Sequence, residues 1–325
     1  MVRTWVTDLL GEPYERTTLE FGPDEQGPVV ATVIRRRAAV ATRRAMLYVH
    51  GYADYFFQTH LADFWVEQGY DFYAVDLRKN GRSWLSHQTL AYVRHLGEYA
   101  ADLDATYALI TADGHDSVIL NAHSTGGLIA AMWAHARRDR RDGRGILDAM
   151  LLNSPFFQLP VPPALRGRGG DWIEALGRTR PMAVIPSLHR TPYSESVHAD
   201  YYGEWQFDLR WKPIVGVPLR AGWLRAVRVA QRQLHGGLEV PCPVLVAAST
   251  AYVITRGWDE SLLTADAVLD VEQTARWAPK VGPLVTVQRI AGGLHDLALS
   301  PKPARERYFQ ALSRWLRAYG PKENA

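Results

Sequence analysis

The sequence predicts an α/β fold, a mostly parallel eight-stranded sheet flanked by helices and interrupted by one inserted cap. Two observations predict it. Short β-rich segments alternate with helical ones as far as about residue 153, and the same alternation resumes near Pro243. Between them, from 156 to 238, no strand–helix pattern can be read, yet the sheet needs the segments on both sides. The expected division is therefore a core domain of residues 1–155 and 239–325 with a cap of 156–238.

The elements follow in order. Residues 17–21, 29–35 and 46–50 are β-rich and read as a meander, and a helix at 61–68 ends on Gly69. A strand at 71–76 leads to a loop at 77–84 that holds the turn pair Asn80-Gly81. Leu96, Tyr99, Leu103, Tyr107 and Leu109 recur near helical spacing, which predicts an amphipathic helix over 92–111. A strand at 117–122, a helix at 124–137 and a strand at 147–153 complete the first half. The cap contains Pro160, Pro162, Pro163, Pro181, Pro186, Pro192, Pro213 and Pro218 among many Trp and Tyr residues. After it come a strand at 243–248, a helix at 271–281, a strand at 284–290 and a helix at 304–319, with 321–325 as a frayed tail.

Composition narrows the function classes. A chain of 325 residues with 47% hydrophobic and 22% charged residues has enough apolar matter for a large core. A net charge of +3, without a dense Lys/Arg block, argues against a nucleic-acid partner. Arg35-Arg36-Arg37 and Arg43-Arg44 are expected to be solvated loop charge, with weak attraction to a membrane as the sharper alternative. Cys242 is the only cysteine and opens an apolar run, so a buried strand thiol is expected rather than a nucleophile. The first residues lack a long apolar segment, and no uncharged stretch reaches the ~18 residues of a membrane span. A cytoplasmic protein is expected, at most peripheral to a membrane.

The chemistry centres on Ser124. The strand at 117–122 runs directly into His123-Ser124-Thr125-Gly126-Gly127 and then a helix. A turn that sharp needs small residues two positions either side of the serine, and Ala122 and Gly126 supply them. The helix N-terminus beneath such a serine favours an oxyanion. A helix N-cap is the plainer role for Ser124, and the surrounding pieces weigh against it.

A serine hydroxyl needs a base, and the base needs an orienting carboxylate. His295 lies in the loop Ala291-Gly292-Gly293-Leu294-His295, directly after the last strand, and is the candidate base. The acid is expected after the preceding strand, where Asp259, Asp266 and Asp270 all lie. Asp266 is favoured; Asp270 stands where it could equally cap the helix starting near 271. Oxyanion donors are expected from the backbone N–H of Thr125 and of Tyr52, which follows the strand end His50-Gly51. His50 itself is read as structural.

Together these pieces resemble the monoglyceride lipase and lysophospholipase branch of the α/β-hydrolases, the serine aminopeptidase S33 type. The resemblance rests on Val49-His50-Gly51, Val75-Asp76-Leu77-Arg78-Lys79-Asn80-Gly81-Arg82-Ser83, His123-Ser124-Thr125-Gly126-Gly127, Ala265-Asp266 and Gly293-Leu294-His295, in order from about residue 46 to 299. The family usually has Gly where Ala122 stands, and a Gly-Glu-His run where this chain has Tyr52-Ala53-Asp54-Tyr55. The resemblance implies a serine hydrolase in which Ser124 attacks an ester carbonyl, His295 moves the proton and Asp266 stabilises the imidazolium. It implies no metal or cofactor, and a small-molecule ester with an apolar acyl chain as substrate. Amide, thioester or lactone hydrolysis, and a catalytically silent receptor on the same fold, are the alternatives.

In the cap, Trp205, Phe207, Trp211, Trp223, Leu224 and Val227 would either line an acyl channel and touch a lipid interface or pack the cap onto the sheet. Phe56, Phe57, Phe156 and Phe157 follow strand ends and are candidate pocket walls.

Overall fold

The computed structural model describes residues 4–160, 168–185, 192–255 and 257–321. Among the described residues, nine strands form one sheet: β1 Val6–Thr7, β2 Glu15–Asp24, β3 Gly27–Arg36, β4 Arg44–Val49, β5 Asp71–Asp76, β6 Ser117–His123, β7 Ala149–Asn153, β8 Val244–Ser249 and β9 Val285–Ile290. Their spatial order is β1-β2-β3-β5-β4-β6-β7-β8-β9. The ninth strand beyond the expected eight is the two-residue edge β1, where Val6 pairs with Arg16.

The expected meander is half right. β2 and β3 do form an antiparallel hairpin, but β3 pairs with β5, and β4 lies on the far side of β5. β4 and β5 are parallel, so the chain must cross over between them. Helix α1, Thr59–Glu67, makes that crossover. From β5 through β9 every pairing is parallel.

Alternate residues of the central strands point to opposite faces. Leu47 and Val49 join one apolar cluster with Val33, Val75, Leu120 and Leu152. Met46 and Tyr48 join the other with Ile34, Phe72, Ile119 and Leu151. Helices α2 Tyr99–Ala112 and α3 Thr125–His135 cover the first face through Leu103, Ile110, Leu128 and Trp133. Helices α1 and α8, Lys302–Tyr319, cover the second through Leu61, Trp65, Leu312 and Trp315. With both faces covered, β4 to β8 carry few exposed positions, which is why they read as near-continuous apolar runs.

Helix α2 starts later than its apolar spacing suggests. Ala91 takes a positive φ of 58°, and the Glu98 carboxylate accepts the N–H groups of Arg94 and His95. The helix forms only beyond that capping interaction, while Tyr92 and Val93 are buried as irregular chain.

Between β7 and β8, the described residues add no strand to the sheet. They form α4 Arg168–Thr179, α5 Tyr193–Val197 and α6 Ala221–Gly236. Helix α7, Val271–Trp277, lies between β8 and β9. Pro162, Pro163, Pro186 and the tail beyond residue 321 lie outside the described residues.

The arginine runs are not simply solvated. Arg35 pairs with Glu15 and Asp113, Arg36 with Asp63, Arg37 with Asp71 and Asp113, and Arg43 with Asp116. Cys242 is buried, and burial pushes its thiol up to about 12, which suits packing rather than nucleophilic attack. No described helix is long and apolar enough to cross a membrane.

Candidate active site

Ser124 stands at the turn between β6 and α3 with φ 54° and ψ −120°. A non-glycine residue rarely adopts that conformation, so the turn is strained and the surroundings must hold it. They do. The N–H of Ser124 donates to the carbonyl of Asn153 at 3.0 Å, and its own carbonyl accepts from Gly127 and Phe156. Gly126 lies beneath the end of β4: a Cβ there would meet the carbonyl oxygen of His50 at 2.3 Å and that of Val49 at 2.7 Å. The glycine two positions after the serine is therefore required by contact, and Ala122 is fully buried in β6.

Three of the expected side chains meet. The Ser124 hydroxyl donates to His295 Nε2 at 2.9 Å. His295 Nδ1–H donates to Asp266 Oδ2, also at 2.9 Å. The other Asp266 oxygen accepts the N–H groups of Val268 and Leu269 at 2.7 and 2.8 Å. A carboxylate occupied on both oxygens by donors leaves His295 with its proton on Nδ1 and a lone pair toward the serine. Ser124 is the most accessible of the three, at 9% exposure.

Asp266 is remote from the end of β8 in sequence but is tied back to it. Its N–H donates to Ala251, its carbonyl accepts from Val253, and it bridges Tyr252. The other two aspartates go elsewhere. Asp270 caps α7 by accepting from the N–H of Glu272, and Asp259 accepts from Ser261.

The expected oxyanion donors are the N–H of Thr125, which follows Ser124 in the chain, and that of Tyr52. Thr125 is the first residue of α3, so its N–H has no carbonyl one turn earlier to accept it. Tyr52 follows Gly51, where a Cβ would lie 3.1 Å from Ser124 Cβ; the loop backbone thus passes beside Ser124. His50 is buried, bonding Gly51 C=O through Nδ1 and accepting the Leu77 N–H on Nε2, and burial lowers its basicity. It holds the loop.

Of the phenylalanines, Phe56 is wholly buried among Tyr14, Tyr48 and Phe72, so it belongs to the core and lines no pocket. Phe157 is also fully buried, while Phe57 contacts Phe207 of the β7–β8 interval and Phe156 remains partly exposed.

Two groups of polar residues escaped the sequence reading. The first binds the loop that carries His295. Asp296 accepts from Asn153 Nδ2 at 2.7 Å, from the Ala298 N–H and from Gln58 Nε2, while Asn153 Oδ1 accepts the Leu297 N–H. The Tyr193 hydroxyl of α5 accepts the Asp296 N–H, and its ring stands edge-on to His295 at 5.5 Å. Burial acts to raise the Asp296 carboxyl, but His123, Lys212 and the donors on it outweigh burial and hold it below its ordinary value. His123 packs against His295, and burial pushes it down to about 4, so near pH 7 it is neutral beside that ring.

The second is a buried ion pair, Lys212 to Asp54 at 2.8 Å, which ties the β7–β8 interval to the loop after β4. The ammonium also sits over the rings of Phe57 and Phe207. Neither Asp54 nor Lys212 carried a signal in the sequence, because the pairing is purely tertiary.

Residues 41–255 match the family model described as serine aminopeptidase, S33. Among solved structures, the chain is similar to the monoacylglycerol lipase of Paleococcus ferrophilus, with a TM-score of 0.62 and 18% identity over 94% of this chain and 99% of that one. It is also similar to a soluble variant of monoglyceride lipase from Saccharomyces cerevisiae in complex with a substrate analog, with a TM-score of 0.65 and 14% identity over 94% and 96%. Est1E from Butyrivibrio proteoclasticus, solved with ferulic acid bound, gives a TM-score of 0.56 and 14% identity over 93% and 98%. At such identities the likeness shows a shared fold. Among curated proteins no match was found.

Proposed function

The chain belongs to the serine aminopeptidase S33 family, and from that premise we propose that it is a serine hydrolase cleaving carboxylic esters through an acyl-enzyme. One observation carries the reading: the line of 2.9 Å hydrogen bonds from Asp266 through His295 to Ser124. His295 Nε2 takes the hydroxyl proton as Ser124 Oγ attacks the ester carbonyl. The N–H groups of Tyr52 and Thr125 hold the oxyanion that forms. Asp266 stabilises the imidazolium, which then protonates the departing alcohol. Water enters, gives a proton to His295, attacks the acyl-enzyme, and Ser124 regains its hydroxyl.

The substrate we favour is an ester with an apolar acyl chain, since two of the similar structures are named as monoacylglycerol or monoglyceride lipases. Residues 156–238 act in this reading as an inserted cap over the site. Its exposed Trp172, Tyr201 and Tyr202 supply transient contact with a lipid surface. The family description itself favours a second reading, hydrolysis of an amide bond at a peptide N-terminus.

A fluorophosphonate probe tests the mechanism. Labelling of the wild type that disappears in Ser124→Ala supports it, and a wild type that resists the probe sinks it. Comparing nitrophenyl esters with aminoacyl nitroanilides separates the ester from the amide reading.

A further inference from the structure

Tyr52 enters the proposed reaction through its backbone, which leaves its side chain to be explained. The ring leaves the chain beside the nucleophile, because Gly51 before it touches Ser124. It packs against α6, where its centroid lies 4.0 Å from that of Trp223 at a tilt of 41°. Rings at that distance are in direct contact, so nothing as wide as a methylene chain passes between them.

Whether this contact is a wall depends on whether α6 can move. The helix is pinned along its length. Near its start, Gly222 lies against the Tyr92 hydroxyl and Pro181, with a Cβ there 2.9 Å from each. Further along, Gln231 Nε2 donates to the Phe156 carbonyl at 2.9 Å, and His235 Nε2 bonds the Phe157 carbonyl at 2.8 Å. Phe156 and Phe157 directly follow β7 and Pro155, and Phe156 N–H bonds the carbonyl of Ser124. Trp223, Leu224, Val227 and Leu234 are all buried from this helix in the main core cluster. Helix α6 is thus part of the frame that holds the nucleophile turn, and Trp223 is fixed with it.

We propose that the Tyr52–Trp223 pair is the wall that limits the length of the acyl group at Ser124, making the two rings specificity-determining residues. The inference rests on the serine-hydrolase reading and deepens it by narrowing the acyl group: among the apolar-chain esters favoured above, those with short or compact chains are preferred. An acyl chain directed between the oxyanion loop and α6 meets this wall within a few carbons. Removing either ring opens that route to a longer chain, and each methylene then buried contributes to transition-state binding.

The test is the acyl-length profile with nitrophenyl esters from acetyl to dodecanoyl, each variant normalised to its own rate on the acetyl ester. The wild type is expected to favour the short members. In Trp223→Ala and in Tyr52→Ala, the ratio of kcat/KM for decanoyl over acetyl should rise about tenfold or more. Profiles that stay fixed in variants still labelled by the fluorophosphonate overturn the wall. Where an Ala variant takes no label, Trp223→Leu and Tyr52→Leu replace it under the same criterion. A wild type that resists the probe overturns the nucleophile reading instead, and this inference falls with it.

Discussion

Gly126 lies so close beneath the carbonyl of His50 that a single methyl group would stand 2.3 Å from its oxygen. The contact joins the turn bearing Ser124 to the end of the neighbouring strand, and backbone is met there by backbone. Neither partner is a flexible side chain that could yield.

Gly126→Ala should therefore cost about 3 kcal/mol of stability or more, the upper range for overpacking. Denaturant titration measures the loss. Labelling of Ser124 should fall in the fraction that still folds, whereas a variant of wild-type stability would show that the turn relaxes freely.

Asp266→Asn should reduce kcat about 10⁴-fold while leaving the substrate's KM nearly unchanged, because Asn no longer holds the Nδ1–H tautomer of His295. Asp270→Asn should change kcat less than threefold, roughly, since Asn is an equally good helix N-cap. The reverse ranking reassigns the acid.

Acid should destabilise the fold through His123. Its folded value is depressed to about 4, below the ordinary 6.5, so the unfolded chain takes up the proton first as the pH falls. Its stabilising contribution is complete above pH 6.5 and is lost between 6.5 and about 4, a loss of roughly 3 kcal/mol. His50, His60 and His115 are depressed by burial too and act in the same direction. Urea midpoints at pH 7.5 and 4.5 measure the effect, and the difference between them should shrink in His123→Gln.

Lys212→Met should destabilise by about 3–5 kcal/mol, because it leaves the Asp54 carboxylate buried without its cation. Adding Asp54→Asn should recover most of that loss. If the double variant is no more stable than the single one, the ion pair is not what holds these segments together.

The sequence made the strand-to-helix turn legible because its constraints are local: small residues at 122 and 126, a strand before and a helix after. His295 was legible from its glycine-rich loop behind the last strand. Asp266 could be separated from Asp270 only weakly, since both precede the same helix, and the cap bond to Glu272 is a local feature that many aspartates could make. The order of β3, β5 and β4 is not legible in the sequence, because strands consecutive along the chain need not be neighbours in the sheet. The Asp54–Lys212 pair and the Asn153–Asp296 clasp stayed hidden for a related reason. Each joins residues whose spacing along the chain carries no period, so only the folded chain brings them together.

The hydrogen bond between Ser124 and His295 spans 171 positions of the chain. At about 5–20 residues per second on the ribosome, the serine is made roughly 10–30 s before the histidine. Strands β8 and β9, which precede Asp266 and His295 in the chain, are the last strands of the sheet to be synthesised. On the proposed mechanism a nascent chain therefore holds a hydroxyl with no base to activate it, and a chain that stops short of His295 is inert.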